Sequence, residues 1–216
     1  MNTLKLEAYN IIKERIVQCE YPPNFMLNEE RLKEELKISR TPIRDALGRL
    51  EQESLIQILP RRGVMVKGIS PEEVEQIYEM RLLIEPHALK KHGETISREK
   101  YKELEDFFSR NCEGIQNDLI HKKDDEFHYL FINATENAYF IGVYKFAYIQ
   151  NIRLRILSGS LNKDRINNSQ KEHLRIIRWC LRRNWEKAAG LLNEHLLNSK
   201  EASYNSINNL KHLLRR

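Results

Sequence analysis

Asn28 to Glu53 reads NEERLKEELKISRTPIRDALGRLEQE, two short helical patterns separated by a three-residue break. Asn28 suits the cap of the first, which runs through Leu32 to Leu36, and Ser39 stands where it can cap a second running to about Glu53. In the second, Ile43, Ala46, Leu47 and Leu50 recur at i, i+3, i+4 and i+7 and must face a core. Arg40, Thr41, Arg44 and Gly48 are thereby turned outward. Two helices so closely joined predict a helix-turn-helix. The outward face carries the chemistry a major-groove helix needs: guanidinium groups fork onto guanine or phosphate, and hydroxyls at a helix start bind phosphate beside its positive end.

On either side the pattern completes a DNA-reading domain. Leu4, Ala8, Ile11, Ile12 and Ile16 lie at helical spacing over 4–18, and Tyr21-Pro22-Pro23-Asn24 ends that helix in a turn. Downstream, Leu55 to Leu59 and Val64 to Lys67 flank Pro60-Arg61-Arg62-Gly63, a β-hairpin with a basic tip. That hairpin is a wing. A basic helix face alone is more often simply solvated; three helices followed by a basic hairpin favour DNA binding.

From Ile69 onward no strand-like segment follows. Ser70-Pro71-Glu72-Glu73 is a capping box with proline at the first helical position. Helices are expected near 71–91, 98–119, 122–135, 138–157, 168–183 and 185–203, with a polar loop from Ser158 to Arg165 and a kink at Pro86. The expected fold is mainly α. A winged helix-turn-helix domain with a small β-hairpin wing occupies 1–68, and an all-α helical-bundle effector domain occupies 69–216.

With 216 residues, 41% of them apolar, the chain can bury a core. Its 36 basic and 31 acidic residues are interspersed, so a net charge of +5 permits an anionic partner without demanding one. Cys19, Cys112 and Cys180 are odd in number and without a CxxC pair, which points to free thiols in a reducing compartment. The opening MNTLKLEAYN does not read as a secretory leader, and no apolar run approaches the roughly 18 residues a spanning helix requires. A cytoplasmic protein with no membrane partner is expected.

Four residues of the helical region share one further pattern. Asp124 and His128 lie at i, i+4 on one helix face. His173 and His195 lie about equally far on either side of a helix-helix turn at Arg183-Asn184-Trp185, and a rise of about 1.5 Å per residue brings both to the same height, about 16 Å from the turn. His173 shares its stripe with Ile176, Ile177 and Cys180, and His195 with Ala188, Leu191 and Leu192, so both face inward. Satisfied core histidines are the plain reading. Two unpaired buried imidazoles at matched depth favour a ligand set of three imidazoles and one carboxylate for a divalent cation, zinc or nickel among others.

These stretches together resemble the GntR family of bacterial transcription regulators, in its FadR-like branch with the all-helical FCD effector domain. Glu30-Arg31-Leu32 and Ser39-Arg40-Thr41-Pro42-Ile43-Arg44-Asp45-Ala46-Leu47 are similar to its winged-helix core, and Arg62-Gly63 to its wing tip. The resemblance implies operator contacts at Arg31, Ser39, Arg40, Thr41, Arg44, Arg62 and Gly63. Asp124-x-x-Phe127-His128, Glu172-His173 and Glu194-His195 resemble the metal-binding quartet, Asn137 fits its usual place after that helix, and Arg81-Leu82-Leu83-Ile84-Glu85 resembles the domain's first-helix motif. Asn24, Lys37 and Ser54 stand where the family habitually has glycine.

The expected function is a metabolite-responsive, sequence-specific transcription regulator: a homodimer on a palindromic operator in double-stranded DNA, sensing a small carboxylate effector near the metal. Arg81, and behind it Arg153, are the candidates for the effector's charge; the alternative for Arg81 is an ion pair with Glu85 or Asp124. Rival readings are a metal-dependent enzyme and a DNA-binding dimer whose metal is purely structural. The enzyme is disfavoured because Glu172 and Glu194, each one residue before a ligand, point about 100° away from it and make poor general bases.

Overall fold

The computed structural model describes residues 3–110, 117–159 and 163–213. The chain forms two compact units, Met1–Ser70 with Ile149–Leu157, and Pro71–Tyr148 with Ser158–Arg216.

In the first unit α1 (Thr3–Val17) leads through β1 (Met26–Leu27) to α2 (Glu29–Leu36) and α3 (Arg40–Gln52), and then to β2 (Ile56–Leu59) and β3 (Gly63–Val66). The apolar face read in the sequence is the core: Ile43, Ala46, Leu47 and Leu50 of α3 pack with Ala8, Ile12 and Ile16 of α1. Asn28 caps α2, its Oδ1 accepting from the N–H groups of Glu30 at 2.8 Å and Arg31 at 3.2 Å. Ser39 holds the N-cap position of α3 with extended backbone, but its hydroxyl makes no capping bond.

The wing has one strand more than expected, with order β1-β3-β2 and both pairings antiparallel. Leu27 pairs with Val64 and both are buried, so β1 is held by the core it adjoins. Two residues are too few to show alternation in a sequence. Asn24, Lys37 and Ser54, the three positions where glycine was expected, all adopt left-handed backbone, with φ of 66°, 56° and 56°. The turns keep the shape that glycine would give them. Gly63 itself has φ 109°, a conformation no side chain adopts without strain.

The second unit comprises α4 (Pro71–His92), a 3-10 turn (Gly93–Thr95), α5 (Arg98–Phe108), α6 (Asn117–Ala134), α7 (Ala138–Gly159), α8 (Lys163–Leu181) and α9 (Trp185–Leu213). Residues Ile149–Leu157 of α7 group with the first unit. Leu89, Tyr101, Leu104, Phe127, Phe131, Ile176, Ile177 and Leu192 form the centre of the core.

Some boundaries differ from expectation. The helix expected over 98–119 ends at Phe108, where the Ser109 hydroxyl turns back onto the Asp106 carbonyl at 3.1 Å. The next helix already begins at Asn117, and 111–116, with Cys112, lie outside the described residues. Much of the loop expected over 158–165 belongs to α7 and α8, while 160–162 lie outside the described residues. Asn167, Asn168 and Ser169 favour caps and turns intrinsically, but the buried Gln170 ties this first part of α8 into the fold. α4 is continuous through Pro86.

Candidate metal centre and nucleic-acid face

α8 and α9 form an antiparallel pair closed by a Schellman turn. Arg183 takes the left-handed position at φ 57°, its N–H donates to the Cys180 carbonyl at 2.8 Å, and the Asn184 N–H donates to that of Trp179 at 3.0 Å. Asn184 then caps α9 through its Oδ1, which accepts from the Lys187 N–H at 3.0 Å. The two arms are of equal length and bring His173 and His195 face to face, with their Nε2 atoms 3.2 Å apart. His128 of α6 completes the group. Potential ligand atoms of His128, His173 and His195 all lie within 4.8 Å of one another, and the three residues are 3%, 0% and 2% exposed. Asp124 stands at the edge of this group, its Oδ1 3.7 Å from His173 Nε2.

Carboxylates fix the state of two of these rings. Burial alone would raise the Glu85 carboxyl, but the adjacent Arg81 guanidinium and His128 outweigh it and bring it down to about 2. Glu85 is therefore ionised and can only accept. Its Oε2 lies 2.6 Å from His128 Nδ1, so the Nδ1 N–H donates to it and Nε2 faces away from the carboxylate. The other oxygen, Oε1, accepts from Arg81 Nε at 2.6 Å and from the Tyr144 hydroxyl at 3.0 Å. Glu172 does the same for His195: burial pushes it up, hydrogen bonds from His195 and Arg165 pull it down to about 2, and its Oε2 lies 2.6 Å from His195 Nδ1.

The donor set fits a divalent ion. Burial holds His195 down to about 4, against the opposing pull of Glu172. Burial and then the neighbouring His195 hold His173 well below the ordinary histidine value. Neutral imidazoles with available lone pairs are what a metal requires. Two metal-nitrogen bonds of about 2.0–2.1 Å at tetrahedral or octahedral angles set the nitrogens about 2.9–3.4 Å apart, the spacing found between His173 and His195. His173 Nδ1 is buried with no hydrogen-bond partner, and its ring is held instead by stacking on Phe127 with centroids 4.1 Å apart.

On the first unit, Arg31, Ser39, Arg40, Thr41, Arg44, Arg62 and Gly63 are all exposed. Three of the arginines are engaged by acids of α2: Arg31 with Glu35 at 2.7 Å, Arg44 with Glu29 at 2.9 Å, and Arg40 with Glu30. These pairs are solvent-exposed and individually weak, so a phosphate or a base edge can displace them.

Two families match this chain: the one described as bacterial regulatory proteins, gntR family, over residues 4–66, and the FCD domain over residues 76–198. The chain is a GntR-family regulator with an FCD domain. Among relatives, it is 26% identical to the uncharacterized HTH-type transcriptional regulator YdhC of Bacillus subtilis, over 97% of this chain and 92% of that protein. Of some other curated relatives it spans about half the length, 46%. Its fold is that of E. coli McbR/YncC, with TM-score 0.78 over 96% of this chain and all of that one at 17% identity. The Zn2+-bound FCD domain of TM0439 is a further structural neighbour, with TM-score 0.55 and 21% identity over 65% of this chain and 97% of that one.

These matches are to regulators of transcription, and the chain is a regulator rather than an enzyme. In this GntR regulator the three histidines anticipated from helix arithmetic meet, and Asp124 approaches them. Arg81 takes the ion pair with Glu85 that was its alternative role. Arg153 donates to Gln150 Oε1 at 2.8 Å and to the Lys67 carbonyl at 2.6 Å, within the first unit. Asn137 caps α7, its Oδ1 accepting from the Tyr139 N–H at 2.9 Å. Sequence reasoning missed Glu85, Tyr144 and Arg165 as partners of the site. It also dismissed Glu172, which points away from His173 on its own helix but across to His195 on the next. Among the described residues no helix is long and apolar enough to cross a membrane.

Proposed function

We propose that this GntR regulator is a cytoplasmic, metabolite-responsive homodimer whose winged helices, within residues 1–68, hold a palindromic operator. Its helical domain, residues 69–216, binds a divalent ion, zinc or nickel, and a small carboxylate effector. Arg31, Ser39, Arg40, Thr41, Arg44, Arg62 and Gly63 make the DNA contacts; His128, His173 and His195 with Asp124 hold the metal. The observation that carries the reading is the meeting of three buried imidazoles from α6, α8 and α9. The Zn2+ named for the TM0439 FCD domain supports the same chemistry. Among the groups bonded to the histidines, Arg81 pairs with Glu85 and Arg165 with Glu172, and Asp124 lies 3.7 Å from His173 Nε2. An octahedral ion held by four ligands keeps about two open positions, which a carboxylate effector can occupy.

The test is operator binding by fluorescence anisotropy during titration with organic acids, on wild type and on His128→Ala, His173→Ala and His195→Ala. Elemental analysis of each untagged protein accompanies it. Loss of metal and of effector response with DNA binding retained is expected, from a wild-type response of about 5- to 150-fold. A full response in folded, metal-free protein would contradict the proposal. One observation favours a second reading, a purely structural metal: none of the three histidines is more than 3% exposed. Operator binding that ignores every effector but needs the metal would establish that reading.

A further inference from the structure

The two carboxylates that hydrogen-bond histidine Nδ1 atoms come from other helices than the rings they touch. Glu85 reaches from α4 to His128 on α6, and Glu172 from α8 to His195 on α9, each at 2.6 Å from Nδ1. Both are themselves held. Arg81 Nε and the Tyr144 hydroxyl bond one oxygen of Glu85, leaving the other for His128. Arg165 donates twice to Oε2 of Glu172 at 3.0 Å, and Asn198 donates to its Oε1 at 2.9 Å. A carboxylate fixed from behind can fix a ring in front of it. The third histidine contrasts with these two, since His173 Nδ1 meets no acceptor and its ring rests on Phe127.

We infer that Glu85 and Glu172 are positioning residues of the metal centre: each accepts a hydrogen bond from the Nδ1 N–H of one histidine and so aims that ring's Nε2 lone pair at the ion. The inference rests on the metal reading above and adds to it two residues outside the ligand set. An imidazole without such a partner divides its proton between both nitrogens and turns about its χ2 bond, so part of its population presents an N–H where a lone pair is needed. An anionic acceptor removes that fraction and makes the bound ring a stronger donor. Glutamine at either position keeps an oxygen of the same reach but loses the charge, and its amide can present an N–H instead.

The experiment uses the full-length protein with cobalt(II) as probe, on wild type, Glu85→Gln and Glu172→Gln. Cobalt affinity is read by competition with a chromophoric chelator, and the ligand field by the visible absorption bands. In the metal-free proteins, long-range proton-nitrogen correlation spectra report which ring nitrogen carries the proton. In the wild type, His128 and His195 should both be protonated at Nδ1. Each variant should release its own histidine to a mixture of tautomers, shift the cobalt bands and weaken cobalt binding about 10- to 100-fold. A purely structural role would lower the unfolding midpoint and leave tautomer, bands and affinity of the folded protein unchanged; that result overturns the inference. Should Glu85→Gln fail to fold because Arg81 is left buried without its partner, Glu172→Gln at the more open site decides alone. Wild-type protein that takes up no cobalt would instead sink the metal centre itself, and this inference with it.

Discussion

Arg81 is 3% exposed in the midst of a helical core, a position where a lone guanidinium would be intolerable. Its tolerance comes from Glu85, one turn along α4, with Nε and Oε1 2.6 Å apart. Removing one member of a buried pair leaves an uncompensated charge. Arg81→Met is therefore expected to lower the unfolding free energy by about 3–5 kcal/mol in urea denaturation at neutral pH. A loss below about 1 kcal/mol would mean that Tyr144 and His128 suffice to hold Glu85 charged. In the first unit Arg44 is exposed and shares its guanidinium with Glu29 at 2.9 Å. Arg44→Ala should leave stability nearly untouched, yet cost operator binding about 1–3 kcal/mol and relax one base position, measured by anisotropy over a set of single-base operator variants.

Turns and caps show what one sequence reveals at the level of elements. The apolar faces of α1 and α3, the Asn28 cap and the wing hairpin were all legible, because each rests on a periodicity or a local side-chain bond. β1 was not, since its two residues owe their conformation to the strand beside them. The histidine pair was legible because helix rise and a visible turn fix height along two antiparallel arms. Its carboxylate partners were not, because bonds from α4 to α6 and from α8 to α9 depend on packing angles that no spacing encodes. Lys37 lies between these cases: the family resemblance marked it as a departure from glycine, and the structure gives it φ 56° and ψ 34°. A left-handed conformation costs a residue with a Cβ roughly 1–2 kcal/mol, partly offset in Lys37→Gly by the greater chain entropy of glycine. That substitution should raise stability by up to about 1 kcal/mol, seen as a higher denaturation midpoint at unchanged slope; a decrease would show that no strain is stored there.

For the whole molecule, the metal reading makes the ion a tie between chain segments far apart in sequence, as His128, His173 and His195 sit on α6, α8 and α9. A ligand that binds only the folded state stabilises it by mass action, about 2.7 kcal/mol at one hundred times its dissociation constant. Zinc or nickel should therefore raise the thermal midpoint of wild-type protein in proportion to the logarithm of its concentration. A chelator should reverse the gain, and His195→Ala should show none; an equal rise in that variant would contradict a centre at these residues. The Schellman turn at Arg183 has a genetic consequence as well. It sets the zero from which both arms are counted, so a codon gained or lost between His173 and His195 turns one ring by about 100° and slides it by about 1.5 Å. In-frame insertions and deletions in that interval should be purged from lineages that keep the metal, while base substitutions on the outer faces of the same two helices drift.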